Sequence, residues 1–205
     1  MILASASPRR RELLAACGLD VRVRPADIDE HRLEGEGPTE LVQRLAEGKA
    51  RAAYEALDRP LEDVLLAADT IVWDEQGDVL GKPGDAADAA RMLRLLSGKT
   101  HHVSTGVCII VPGTEGPREA AFVETTDVTF CHLSEAEIGA YVASGEPMDK
   151  AGAYGIQGLG RMLVSGIRGD YPNVVGLPVN RTLREIDALL GGHTYVTRAL
   201  GGNHE

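Results

Sequence analysis

Apolar positions recur at helical spacing in some stretches of this chain and collapse into short continuous runs in others. Ile2–Ala4 predicts a first strand feeding a helix from Pro8 to Cys17. Ser7 is the natural N-cap of that helix, Leu13, Leu14 and Cys17 turn inward, and Gly18 is its stop. Val21–Arg24 predicts a second strand, followed by the acidic loop "ADIDEHRLEGEGP". From Pro38 to Leu57 an apolar stripe of Val42, Leu45, Ala46, Ala52, Ala53 and Ala56 predicts a long helix, with Lys49 in the middle of the stripe. The run "VLLAADTIVW" is a buried strand interrupted by Asp69 and Thr70. After the turn "DEQGD", Val79–Leu80 returns and ends in "GKP".

The second half continues the alternation. A helix opening at Asp85, with Asp88 in its first turn, carries Ala89, Met92, Leu93 and Leu96 inward and stops at Gly98. Two long β segments, "HHVSTGVCIIV" and "REAAFVETTDVTF", are joined by a Pro/Gly-rich loop and suit antiparallel pairing. In "LSEAEI", Ser134 and Glu137 form a capping box and Leu133 can staple against Ile138. Gly152 to Gly176 holds seven glycines, a stretch committed to tight turns or close backbone approach. A last helix spans Arg181 to Leu190. With β-α units beside long hairpins, and no repeat or linker, the expectation is an α/β chain with two lobes flanking a cleft.

Composition narrows the function classes. The chain has 205 residues, enough for one domain or two small lobes, and a net charge of −10. That charge argues against a general nucleic-acid or anionic-membrane surface, and no apolar run approaches the roughly 18–20 residues that span a bilayer. No signal peptide is evident, and Cys17, Cys108 and Cys131 form no C-x-x-C pair, which fits reduced thiols in the cytoplasm.

Against this acidic background, Arg9, Arg10 and Arg11 crowd the first turn of a helix. The macrodipole there disfavours each cation by roughly 0.3–1 kcal/mol. A bound polyanion would relieve the conflict, since helix N-termini and arginine forks both take phosphate oxygens. Asp69 inside an apolar run and Lys49 inside an apolar stripe are misfits of opposite sign. If Trp73 pairs with Val79, continuing the ladder places Thr70 opposite Lys82 and an ammonium beside Asp69. Glu30 and Asp29 lie in the acidic loop, where solvation is the default. Cations for phosphates plus carboxylates for a metal ion and a water make a chemically coherent set. There is no P-loop, G-x-S-x-G or H-E-x-x-H signature, and the pair His101–His102 is assigned to strand surface.

The segments "LASASPRRRELL", "DIDE", "LAEGKA", "AADTIVW", "LGKP", "LLSGKTHHVSTGV" and "YVASGEPMDKAGAYGIQGLG" resemble, in order, the motifs of Maf-type nucleoside triphosphate pyrophosphatases. The resemblance implies a single Maf-like domain over 1–205. Its fold would be an elongated mixed sheet with helices, similar to inosine triphosphate pyrophosphatases, with two lobes flanking a cleft and often homodimeric. It implies a cytoplasmic house-cleaning hydrolase that converts a nucleoside triphosphate to monophosphate and pyrophosphate with Mg²⁺ or Mn²⁺, and the "DKAGAYGIQG" form resembles the dTTP/UTP branch. By the same resemblance Ser5, Arg9, Arg10, Lys49, Thr70, Lys82 and Gln157 bind substrate. Glu30 and Asp69 hold the metal, and Asp69 is the proton acceptor. Specificity falls on Arg9, Thr70 and Gln157. Gly81 departs from the family, where Glu is common before the Lys-Pro pair. The alternative is a nucleotide-binding regulator of cell division or septum formation that acts without turnover; transfer to an acceptor other than water is a third reading.

Overall fold

A computed structural model describes residues 1–58 and 60–201. The described residues form β1 (Ile2–Leu3), α1 (Pro8–Ala16), β2 (Arg22–Val23), α2 (Pro38–Glu55), β3 (Leu65–Trp73), β4 (Val79–Leu80), α3 (Ala86–Leu96), β5 (Thr100–Val111), β6 (Arg118–Phe130) and α4 (Glu135–Ala143). Three short 3₁₀ segments between Glu146 and Leu163 follow, then β7 (Val164–Arg168), α5 (Tyr171–Val175), α6 (Val179–Leu190) and α7 (Thr194–Ala199). The strands make one mixed sheet in the order β2-β1-β3-β5-β6-β7, with β4 also paired to β3. β1 runs parallel to β2 and β3, while β4 and β7 are antiparallel to β3 and β6. Among the described residues, no helix is long and apolar enough to cross a membrane.

The chain divides into two compact units, with the boundaries inside β3, β5 and β6. The first comprises Met1–Asp69, Thr105–Glu124 and residues from Gly176 onward. Its α1 starts where capping chemistry places it: the Ser7 hydroxyl accepts from the Arg10 N–H at 3.4 Å, and Gly18, at φ 71°, donates to the Ala15 carbonyl. In α2 the buried stripe is Leu41, Val42, Leu45, Ala46, Ala50 and Ala53, while Ala56 is exposed and Ala52 half-buried. The stripe is thus rotated from the expected one, because α2 packs through its small residues. Ala46, Ala50 and Ala53 cluster with Ile2, Ala4, Leu65, Ala67, Cys108 and Ile110. Contact is close enough that a Cβ on Gly106 of β5 would stand 2.2 Å from the Val42 carbonyl oxygen. A second cluster joins Leu14 and Leu3 to Leu66, Ile109, Leu177, Leu183 and Ile186. Helix α7, which the sequence pattern did not reveal, packs Tyr195, Val196 and Ala199 against it.

The second unit comprises Thr70–Ser104 and Thr125–Val175. Its α3 and α4 bury the expected faces, including Ala89, Met92, Leu93, Leu96 and Ile138, and Asp85 and Ser134 cap them as expected. The surface assignment of His101 is corrected: it is fully buried, with its Nε2 2.8 Å from the Tyr154 hydroxyl and edge-on rings of Phe130 and Tyr154 around it. Adjacent strand residues face opposite ways, and the face carrying His101 is the one its neighbours Val103, Leu96 and Ile138 cover. Burial holds the imidazole down to about 4, so it is neutral.

Candidate active site

The first unit collects the charged misfits. Lys49 lies seven residues, two helical turns, after Val42, on the same buried face of α2. Its ammonium is 2.6 Å from an Asp69 carboxylate oxygen and 2.6 Å from one of Glu30. Lys49 and Asp69 are largely buried, at 12% and 14% side-chain exposure, whereas Glu30 reaches in from an exposed loop. Burial alone would lower the Lys49 pKa, but the two carboxylates outweigh it and hold the ammonium above its ordinary value. Lys49 therefore stays charged, and no snorkelling to solvent is involved.

Arg10 resolves the conflict in the first turn of α1. Its guanidinium is turned into the molecule, donating through Nε to the Gly176 carbonyl at 2.8 Å and through Nη1 to the Ser5 hydroxyl at 2.7 Å. Hydrogen bonds from a charged donor contribute roughly 1.5–3 kcal/mol each, which exceeds the roughly 0.3–1 kcal/mol macrodipole penalty. Burial lowers the Arg10 pKa, offset by the fields of Asp69 and Glu30 and reinforced by Arg9. Those couplings connect the arginine turn electrostatically to the Lys49 cluster. Arg9 is half-exposed and Arg11 exposed, so the three cations part company within one turn.

The second unit holds Thr70, Lys82 and Gln157. Trp73 does pair with Val79, but the ladder ends at Val72–Leu80, so Thr70 and Lys82 are not strand partners. The Gly81 carbonyl instead accepts from the Gly152 N–H at 3.0 Å, which ties the "GKP" loop to the glycine-rich segment. Gly152, at φ 68°, lies so close to Val72 that a Cβ would meet the Val72 Cγ1 at 2.9 Å. The next residue, Ala153, is fully buried at φ 58°, a conformation L-residues adopt at a cost of about 1–2 kcal/mol. Thr70 is half-buried, while Lys82 and Gln157 are exposed.

Sequence reasoning missed what holds the Gln157 turn. The Glu146 carboxylate accepts from the Leu159 N–H at 2.8 Å, the Gly160 N–H at 3.0 Å and the Tyr141 hydroxyl at 3.0 Å. Tyr141 in turn accepts from the Gly155 N–H at 3.3 Å. Gln157 thus sits between two anchored points of backbone. Burial opposes the Glu146 charge, but the backbone donors outweigh it and hold the carboxyl below its usual range. The only sequence signal was a Glu shortly before the glycines, and charge in a loop is ordinarily solvated.

The donor set fits a hard divalent cation in one respect. Glu30 and Asp69 direct carboxylate oxygens to one point, the Lys49 ammonium, and Mg²⁺ typically uses one or two carboxylates with waters and phosphate oxygens. Among the described residues no group of three or more His, Cys, Asp or Glu could hold a metal alone, so any such ion would need oxygens from water and substrate.

Comparison with known proteins supplies the wider setting. A family model described as "Maf-like protein" matches residues 1–189. The chain is 53% identical over 184 residues to a dTTP/UTP pyrophosphatase of Koribacter versatilis, covering 90% of this chain and 91% of that protein. It is 52% identical to a dTTP/UTP pyrophosphatase of Moorella thermoacetica, covering 93% and 95% of the two chains. Another protein of that name, from Geobacillus sp., is 48% identical, with 92% and 97% covered.

Proposed function

The chain belongs to the Maf-like protein family, and on that premise we propose that it hydrolyses dTTP and UTP to the monophosphate and pyrophosphate. The observation that carries the reading is the Lys49 ammonium held at 2.6 Å by both Asp69 and Glu30, in the electrostatic field that also includes the buried Arg10. A site that only bound a polyanion would gain nothing from two carboxylates in its midst. A hydrolase needs one of them to take a proton from water.

In the proposed mechanism, Arg9, Arg10, Lys49 and Lys82 neutralise the triphosphate, and Ser5 orients both Arg10 and a phosphate oxygen. Asp69 accepts a proton from the attacking water as its oxygen bonds to the α-phosphorus. The bond from that phosphorus to the α–β bridging oxygen breaks, and pyrophosphate leaves with the electron pair. Glu30 and Asp69 would hold Mg²⁺ or Mn²⁺, which when bound supplies charge neutralisation of the phosphates. Thr70 and Gln157 contact the nucleoside, and the Gln157 amide, which both donates and accepts, suits the edge of uracil or thymine. The whole of 1–205 acts as one Maf-like domain. The free thiols of Cys17, Cys108 and Cys131 support a reducing, cytoplasmic setting.

The test is product identification after incubating the purified chain with a panel of triphosphates and Mg²⁺. Conversion of dTTP and UTP to dTMP and UMP with one pyrophosphate each is expected. Release of orthophosphate, or tight binding of nucleotide without turnover, would overturn the reading; the latter outcome is that of a regulator.

A further inference from the structure

A cavity of about 450 Å³ opens in the second unit where the Gln157 turn meets β7, and Ile156, Gln157, Val164, Ile167 and Tyr171 are among its walls. Its size lies within the roughly 300–1,000 Å³ of ligand pockets. Two large side chains in it are exposed without need, Tyr171 at 44% and Ile167 at 38%. Grouped exposed apolar surface in a recess marks a contact site more often than isolated exposed residues do. The recess also has a polar side: β7 is the last strand in the sheet order, so its outer backbone edge has no strand partner among the described residues.

We propose that this cavity receives the pyrimidine ring of the substrate, with Tyr171 as the stacking wall and a specificity-determining residue. The proposal rests on the function given above and deepens it. A pyrimidine presents flat apolar faces and an edge of alternating donors and acceptors. The cavity offers an aromatic ring and aliphatic walls to the faces, and the Gln157 amide to the edge. It is too roomy to reject a purine by volume, so preference must come from the edge contact, with stacking supplying affinity. The wall is also well braced: Glu146 fixes the backbone of Leu159 and Gly160, and the Arg161 Nε donates to the Gly158 carbonyl at 2.7 Å.

The experiment compares steady-state hydrolysis of dTTP and UTP by the wild type, Tyr171→Ala, Tyr171→Phe and Ile167→Ser, with inorganic tripolyphosphate as a base-free competitive inhibitor. Base–aromatic stacking predicts that Tyr171→Ala raises KM for both nucleotides about 10-fold with kcat nearly kept. Tyr171→Phe should restore KM to within about twofold, because the ring rather than the hydroxyl stacks. Ile167→Ser should move KM in the same direction by less. Inhibition by tripolyphosphate should be unchanged in every variant. An unchanged KM in both Tyr171→Ala and Ile167→Ser, or tripolyphosphate inhibition weakened in step with KM, would overturn the proposal while leaving the function intact. A wild type that turns over neither nucleotide would defeat the function itself, and the pocket assignment with it.

Discussion

The Lys49 cluster of the first unit and the Gln157 turn of the second solve opposite problems. In the first, every group expected to handle charge is already engaged: Arg10 with Ser5 and Gly176, Lys49 with Glu30 and Asp69. In the second, the side chain expected to meet the substrate is exposed, and the structure's effort goes into the backbone beneath it through Glu146 and Tyr141. Charges must be held in place before the reaction, because reorganising them during it costs barrier height. A base-reading amide needs only a fixed root, since its hydrogen bonds form with the ligand. The lesson is that a misfit residue marks the first kind of site, while the second shows only in what anchors it.

Substitutions can break this contrast, and the largest effect is expected where charge is preorganised. Asp69→Asn should lower kcat by about 10³-fold or more, in line with loss of a general base, with circular dichroism unchanged; turnover within tenfold of wild type would remove Asp69 from the chemistry. Arg10→Ala should cost about 10²-fold in kcat/KM and also lower the melting temperature, because it leaves the Gly176 carbonyl and the Asp69 field without their buried cation. A variant with full thermal stability would show that the guanidinium is not integral to the first unit.

The second unit has its own signature in acid. The neutral, buried His101 has a folded value near 4 against 6.5 for a free imidazole. Its contribution to stability is therefore complete above about pH 6.5 and is lost as pH falls from there through about 4. The shift corresponds to about 3 kcal/mol at full protonation. Urea unfolding at pH 7 and pH 4 should differ by at least a large part of this amount, and the difference should shrink in His101→Phe. Smallest of all, Gln157→Ala should change the ratio of kcat/KM for UTP over GTP by about 3- to 10-fold, the scale of a hydrogen bond or two. Glu146→Ala should reproduce that loss of preference although Glu146 lies outside the cavity wall. If preference survives Glu146→Ala intact, the bracing of the turn is structural only.

Much of this was legible in the sequence because it is local. Ser7 with Pro8, Asp85, and the Ser134–Glu137 box fix helix starts from within a few residues, and the Trp73–Val79 register follows from the short turn between them. Lys49 and Asp69 stood out because an ionised group in an apolar pattern demands a partner. Illegible features depend on what comes from elsewhere in the chain. That His101 faces a covered side follows only from where α3 and α4 lie, and the true stripe of α2 from the close approach at Gly106. Glu146 gave no signal because its partners are backbone N–H groups, which every residue but proline has.

The most direct measurement is hydrolysis of dTTP by the purified chain in ¹⁸O-enriched water with Mg²⁺, followed by mass spectrometry of both products. One ¹⁸O in dTMP and none in pyrophosphate is expected, since Asp69 activates a water that attacks the α-phosphorus. Label in the pyrophosphate, or unlabelled dTMP, would contradict it.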